Sequence, residues 1–374
     1  MAVPAEKNLQ EALAAFDFGA PVVGAMRFGH GHINDTFCVH TQPEDDGCRC
    51  FILQRMSAAA FKHPEQLMAN IIGITDYLGK QIRAAGGDRG REAMEVLRTR
   101  GGGAYYTDGD GGAWRVYPFV TDTYCYQTAE TPALFEASAK AFGKFQRMLC
   151  DYPADTLYET IPRFHDTEDR LNKLKEAIAS APKDRLDACG PEIAFALARE
   201  GDCSVALKAL REGILPLRVT HNDTKLNNVL IDKKTGEGIC VIDLDTTMPG
   251  LCIYDFGDSI RFGANHCAED EKDLSKVNFD IGLYEVYTRG YLEGAAGSLT
   301  AAELDYLPWG AKLMTLECGI RFLTDYLSGD VYFRIRYPEQ NLDRCRTQFK
   351  LVRDMEEQWD AMHAVIKKLQ TPDA

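Results

Sequence analysis

The sequence predicts an α+β protein of two lobes, and three observations carry that prediction. Strand patterns and glycine-rich turns fill the chain as far as Tyr117, with one long amphipathic helix among them. After Pro118 the composition shifts, and apolar residues recur at helical spacing almost to the end. Within that helical part, residues 217–245 carry one hairpin with polar ends. We therefore expect a lobe of residues 1–117, an antiparallel sheet plus helix, and a mainly helical lobe of residues 118–374.

The elements follow in order. Residues 8–16 form a short amphipathic helix with Leu9, Leu13 and Phe16 on one face. Residues 26–39 read as strand–turn–strand. Gly29, His30 and Gly31 make a turn whose backbone N–H groups can approach an anion, and Asn34, Asp35 and Thr36 lead into an apolar strand. We assign Gly29, His30, Gly31, Asn34 and Thr36 to a flap over phosphates. The next strand, residues 50–54, is the place for a phosphate-holding cation, yet Phe51-Ile52-Leu53-Gln54-Arg55-Met56 contains no lysine. Alternation turns either Gln54 or Arg55 toward the ligand; Arg55 supplies the charge there or ends the strand in solvent.

Residues 64–78 form a helix with Leu67, Ile71, Ile74 and Leu78 inward and Glu65 at the positive end of the helix dipole. Residues 84–91 and 100–104 are glycine-rich loops. Residues 104–107 and 113–117 flank Asp108-Gly109-Asp110-Gly111-Gly112 as a hairpin, and no Glu follows at the spacing of a calcium loop. The second strand runs into Tyr117-Pro118-Phe119-Val120, a hinge, where backbone groups at Tyr117 and Phe119 are assigned to a nucleotide base. Beyond it, Thr131 caps and Pro132 opens a helix carrying Leu134, Ala141, Phe142, Phe145 and Leu149. Asp166 caps the next. Further helices are predicted at 258–262, 269–283 and 304–327. A single last helix is predicted over 347–369, with Leu351, Met355, Trp359, Met362, Ile366 and Leu369 as core.

The hairpin concentrates the chemistry. Val229 to Ile231 and Ile239 to Ile242 are apolar runs around a turn at Thr235-Gly236. Centring the turn there sets Asn228 opposite Asp243, and residues so paired have Cβ atoms about 4.5–5.5 Å apart. Two oxygen ligands that close can share one Mg²⁺, which binds oxygens at about 2.0–2.1 Å. Asp223, on the preceding loop, can face a substrate hydroxyl as a base. A catalytic-loop Asp, an Asn five residues on and a metal-binding Asp after the next hairpin are the parts of a kinase site. Asp255-Phe256-Gly257 spells the metal tripeptide of protein kinases but ends no hairpin. We give the metal to Asp243; Asp255 reads by itself as a helix N-cap.

Bulk properties exclude other classes. The chain of 374 residues has a formal net charge of -14, which speaks against nucleic acid and anionic membrane surfaces. Twelve cysteines are scattered without metal spacing, Cys48-x-Cys50 being too tight and lacking a second pair. They read as free thiols of a reducing cytoplasm. No basic-then-apolar leader follows Met1, and no apolar run approaches about 18 residues, so the sequence reads as neither exported nor membrane-spanning.

His-Asn-Asp followed by Asn228 resembles the His-Gly-Asp-x-x-x-x-Asn loop of aminoglycoside phosphotransferases and choline kinases, which share a protein-kinase-like fold. That resemblance implies Asp255 as a carboxylate that buttresses the catalytic loop. Over nearly the full length the chain resembles one branch of them, the N-acetylhexosamine 1-kinases. The matching motifs include Gly-His-Ile-Asn, Ile-Leu-Gln-Arg-Met, Ala-Trp-Arg-Val-Tyr, Phe-His-Asp-Thr, Ile-Asp-Leu-Asp-Thr-Thr-Met-Pro-Gly, Glu-Cys-Gly-Ile-Arg-Phe-Leu-Thr-Asp-Tyr-Leu and Gly-Asp-Val-Tyr-Phe. The resemblance implies ATP and Mg²⁺, and phosphorylation of the anomeric hydroxyl of N-acetylglucosamine or N-acetylgalactosamine. It implies Asp223 as base, Asn228 and Asp243 as metal ligands, and His32, Arg321 and Tyr332 near the sugar. Rival readings are a kinase of this fold acting on an amino alcohol, homoserine or hydroxylysine, and a nucleotide-binding pseudokinase. Protein partners are left open.

Overall fold

A computed structural model describes residues 6–29, 33–42 and 49–370. The N-terminal part contains α1 (Glu6–Ala15), β1 (Val22–Arg27), β2 (Asp35–Thr41), β3 (Cys50–Arg55), α2 (Pro64–Ala84), α3 (Arg89–Glu92), β4 (Tyr106–Thr107) and β5 (Ala113–Pro118). The strands form one antiparallel sheet in the order β1-β2-β3-β5-β4. Alternation gives it two unlike faces. Phe37, Val39, Phe51, Leu53, Trp114 and Val116 are buried with Ala12 and Phe16 beneath α1. Thr36, Cys38 and His40 of β2, Cys50, Ile52 and Gln54 of β3, and Arg115 and Tyr117 of β5 share the opposite face.

α2 buries the four predicted residues Leu67, Ile71, Ile74 and Leu78, but runs two turns further, to Ala84. Its apolar face joins Tyr117 to Phe145, Leu149, Val219 and Leu244, so one core cluster seams the sheet to the helical part. The Asp108 turn is closed by the protein itself. Its carboxylate accepts hydrogen bonds from the backbone of Asp110 and Gly112 and, at 2.7 Å, from Trp114 Nε1.

The remainder contains β6 (Thr123–Tyr124), α4 (Pro132–Met148), α5 (Thr167–Ser180), four short helices α6 (Lys183–Ala188), α7 (Gly190–Leu197), α8 (Glu200–Cys203) and α9 (Val205–Arg211), then β7 (Arg218–Thr220), β8 (Val229–Asp232), β9 (Gly238–Val241) and β10 (Met248–Gly250). It ends with α10 (Cys252–Gly263), α11 (Ile281–Ala295), α12 (Ala301–Leu327), α13 (Gln340–Glu357) and α14 (Trp359–Gln370). Thr131 and Asp166 cap α4 and α5 as expected. α10 crosses α12 where Gly257 meets Gly310; a Cβ on either would collide with the other helix's backbone. No helix among the described residues is long and apolar enough to cross a membrane.

Two predicted helices change and one unassigned stretch proves helical. Residues 269–280 are not helical: the Asp273 side chain accepts from the Ser275 backbone, a local bond that competes with a helix, and α11 starts after Asp280, which caps it. The predicted last helix is two, because α13 ends at Glu357 and Gln358 turns its amide to the Phe279 carbonyl. The apolar spacing runs across that break and hides it. The stretch of residues 183–211, unassigned from sequence, holds α6 to α9.

Candidate active site

β7 pairs antiparallel with β10, and the chain leaves this two-stranded ribbon into His221-Asn222-Asp223. Asn222 adopts a left-handed backbone (φ 63°), a conformation Asn tolerates, and its amide donates to the carbonyls of Thr220 and Thr246. His221 is fully buried. Its Nδ1 accepts from the Asp223 N–H, which leaves Nε2–H to donate to the Ile242 carbonyl at 2.9 Å. Phe142 and Phe145 pack edge-on against its ring.

Asp255 holds this loop from below. It lies inside α10, so the N-cap alternative falls and the buttress reading stands. Its carboxylate accepts the backbone N–H of His221 (2.9 Å) and Asn222 (2.8 Å) and Nε2 of Gln146 (2.8 Å). Burial lifts its carboxyl above the ordinary range, against the pull of His221 and these donors. Thr224 adds bonds to the Asp255 carbonyl and the Asp258 carboxylate.

The loop delivers Asp223 with 29% of its side chain exposed. Asn228, on the 3₁₀ turn Leu226–Asn228, donates through Nδ2 to the Asp223 carbonyl (2.7 Å) and to its Oδ2 (3.0 Å). None of its side-chain bonds among the described residues uses Oδ1, the atom able to coordinate a cation. Lys225 Nζ stands 2.6 Å from Asp223 Oδ1. Burial pulls that ammonium down, but Asp223 and Asp258 outweigh it and hold the lysine charged.

The hairpin register differs from the sequence expectation by one residue. Val229 pairs with Val241, a bulge follows Leu230, and Asn228 lies opposite Ile242, whose N–H donates to the Asn228 carbonyl. Asp243 therefore stands one position past Asn228's partner, and its left-handed backbone (φ 59°, ψ 57°) turns the chain there. Asp243 is exposed to water in the cleft yet crowded by protein. That enclosure, with the negative charges of Asp245 and Asp223, raises its carboxyl, while Arg115 and His221 oppose the rise. Negative charge gathered on oxygen-only donors fits a hard divalent cation at Asn228 and Asp243.

Asp245 faces the other way and ties the two lobes. It meets Arg115 of β5 at 2.5 and 2.8 Å and the Asn34 amide at 2.7 Å. Arg115 is in turn gripped by Gln54 Oε1 at 3.0 and 2.8 Å, and Gln54 Nε2 reaches the Thr36 hydroxyl. The alternation question on β3 is thus decided: Gln54 faces the cleft. Arg55 is corrected; it lies on the opposite face, 3.4 Å from Asp108 and over the Trp114 ring. The cation that meets the catalytic floor comes from the neighbouring strand. Its sequence signal was present, since alternation with buried Trp114 and Val116 turns Arg115 to the cleft face.

Of the remaining predicted residues, the Phe119 N–H bonds the Cys50 carbonyl, its ring meets Phe28 at 5.8 Å, and Tyr117 is buried under Arg115. Gly29 sits in a left-handed turn (φ 79°) after β1. His30, Gly31 and His32 lie outside the described residues. Arg321, on α12, is half-buried among Phe164, Tyr332 and Phe333 at 6.0, 5.8 and 5.4 Å. Tyr332 is 73% exposed on a loop that Asp325 pins through three backbone N–H groups. No described hydrogen bond or ion pair links Arg321 or Tyr332 to Asp223. Beside them, Glu317 is committed to His165 (3.0 Å) and Thr167 (2.8 Å), a pair the sequence reading missed. A surface hollow between α1 and β1 holds none of these groups.

The profile of the phosphotransferase enzyme family (APH) matches residues 24–297, which include the flap, the Asp223 loop and the hairpin. Among solved structures, an aminoglycoside phosphotransferase from Alicyclobacillus acidocaldarius is similar over 99% of this chain and 97% of its own, with 14% identity and a TM-score of 0.58. Amicoumacin kinase hAmiN, solved with AMP-PNP, Ca²⁺ and Ami, shows 14% identity and a TM-score of 0.57 over 95% and 94% of the two chains. A choline/ethanolamine kinase family protein from Mesorhizobium loti shows 18% identity and a TM-score of 0.55 over 96% and 98%. The α+β fold with its antiparallel sheet and helical lobe is the one these proteins share.

Proposed function

Given that the chain belongs to the phosphotransferase enzyme family, we propose that it transfers the γ-phosphoryl group of ATP to the anomeric hydroxyl of an N-acetylhexosamine, N-acetylglucosamine or N-acetylgalactosamine. The observation that carries the choice of acceptor is Arg321, a half-buried cation among three aromatic rings. Glu317, one turn away on the same helix, is engaged by His165 and Thr167. Such a wall offers hydrogen-bond donors and ring faces to a neutral sugar and repels an ammonium group. His32, Arg321 and Tyr332 are its proposed contacts.

Asp223 orients the acceptor hydroxyl and takes its proton. Lys225, now paired with that carboxylate, brings a positive charge beside the path of the phosphoryl group. Asn228 and Asp243 would hold Mg²⁺, which when bound neutralises the β- and γ-phosphate oxygens. Residues 1–117 supply the roof: Gly29, His30, Gly31, Asn34 and Thr36 at the phosphates, and Tyr117 and Phe119 at the base. Arg115 takes the place proposed earlier for Arg55. Residues 118–374 supply the floor and the acceptor site. Catalysis then rests on positioning and charge, as in other phosphoryl transfers.

The resemblance to a choline/ethanolamine kinase family protein favours a second reading, an amino alcohol as acceptor. A panel of N-acetylhexosamines, their methyl glycosides and amino alcohols with ATP and Mg²⁺ separates the two. Phosphorus coupled to H1 in the product NMR, with no reaction on the methyl glycoside, is the expected result. Phosphorylation of the methyl glycoside as fast as the free sugar would overturn the anomeric assignment, and amino alcohol turnover alone would replace it.

A further inference from the structure

The register of β2 and β3 assembles a group that linear spacing conceals. His40 and Cys50 are direct cross-strand partners, and Cys38 lies two residues before His40, on the same face of the sheet. Cys50 Sγ stands 3.2 Å from His40 Nδ1, and Cys38 Sγ stands 3.5 Å from His40 Nε2. One ligand atom from each of the three falls within 4.8 Å of the others. A tetrahedral zinc ion, with Zn–S about 2.3 Å and Zn–N about 2.0–2.1 Å, keeps its ligand atoms about 3.5–3.8 Å apart. The three atoms are thus gathered to within about 1 Å of the required size.

We propose that Cys38, His40 and Cys50 form a binding site for a thiophilic divalent cation of the zinc class, distinct from the Mg²⁺ site of Asn228 and Asp243. Donor chemistry separates the two sites: two sulfurs and an imidazole select a soft or borderline ion, whereas the oxygen donors on the cleft floor select a hard one. Because the thiols flank opposite nitrogens of one ring, the ion takes one nitrogen and the farther sulfur swings in by side-chain rotation. Cys38 is buried and His40 and Cys50 are half-buried, and a tetrahedral ion would take one further ligand beside these three. Coordination converts both thiols to thiolates and releases two protons to solvent. The ion would clasp β2 to β3 on the sheet face that roofs the cleft. It would sit next to the hinge, because the Cys50 carbonyl accepts the Phe119 N–H.

The test uses the full-length protein, stripped with chelator and kept under a non-thiol reductant, then titrated with Co²⁺ and back-titrated with Zn²⁺. One equivalent of Co²⁺ should give the thiolate charge-transfer and tetrahedral ligand-field bands, and Zn²⁺ should displace them. Cys38→Ser and Cys50→Ser should each abolish the charge-transfer band, and Cys267→Ser should keep it. His40→Gln, which retains both thiols, should weaken binding at least about tenfold, since loss even of a metal ligand's supporting partner costs that much. Melting temperatures of the metal-free variants check that each is folded. In the wild type Zn²⁺ should raise the melting temperature, because an ion that binds only the folded chain stabilises it. The proposal is overturned by a wild type without the bands, by bands that survive either serine variant, or by unchanged affinity in His40→Gln.

Discussion

Asp243-Leu244-Asp245 and Asp255-Phe256-Gly257 are spelled almost alike, each an acidic residue ahead of a large apolar one, twelve positions apart. Their surroundings give them opposite work. Asp243 stands where β9 has ended, on a left-handed residue, with its carboxylate in the cleft. Asp255 stands inside α10, 1% exposed, with every oxygen engaged by the backbone of the catalytic loop or by Gln146. Phe256 is core, and Gly257 is the point where α10 crosses α12. A carboxylate whose oxygens are already satisfied can position a loop, while one held open among like charges can take a cation. Role follows the place of the backbone, not the tripeptide.

The largest expected effect lies on the loop that both segments serve. Asp223→Asn should reduce turnover by about 10²–10⁴-fold, the usual contribution of a positioned general base, with ATP affinity nearly unchanged. Near-normal turnover in a steady-state assay would remove Asp223 from the chemistry. The second test sets the two segments against each other. Asp243→Asn should raise the Mg²⁺ concentration needed for half-maximal activity far more than Asp255→Asn does. Asp255→Asn should instead lower stability in urea unfolding by about 1–3 kcal/mol, because buried backbone donors lose an acceptor. If the two variants exchange phenotypes, the assignment of the metal to Asp243 is wrong. The smallest effect concerns Asp245. A double-mutant cycle of Arg115→Met and Asp245→Asn should show coupling of about 0.5–3 kcal/mol in stability, as for other contacting pairs. Additive changes would mean that the pair does not join the lobes.

Much of this site could be read from the sequence because its parts are local: one loop, one hairpin and residues a few positions apart. Asp223, Asn228 and Asp243 come from 21 consecutive residues and do converge on one cleft. The one-residue error in register came from the turn, which closes between Asp232 and Glu237, one residue earlier than the centre at Thr235-Gly236; the bulge after Leu230 makes up only half of that offset. What the sequence hid depends on pairing between distant segments. Arg115 gains its meaning only when β5 lies beside β3 and Asp245 lies below both. Cys38, His40 and Cys50 look scattered until two strands are set in register. Glu317 and His165 meet across 152 positions. The last helix was misjudged for another reason: its apolar stripe continues through the break at Gln358, so periodicity saw one element where the hydrogen bonds make two.

The Arg115–Asp245 pair also sets how the molecule can move. With side-chain exposures of 1% and 6%, it joins the roof of the cleft to its floor within a few residues of the reaction centre. Parting such a buried pair would strand two charges away from water, a cost that favours motions in which the pair stays closed. A motion that keeps the pair closed swings the lobes about it like jaws about a pin. A rotation that parts the rim by several ångströms, enough to exchange nucleotide, hardly displaces Asp243, because displacement grows with distance from the pin. The machinery at the fulcrum keeps its geometry while the mouth works.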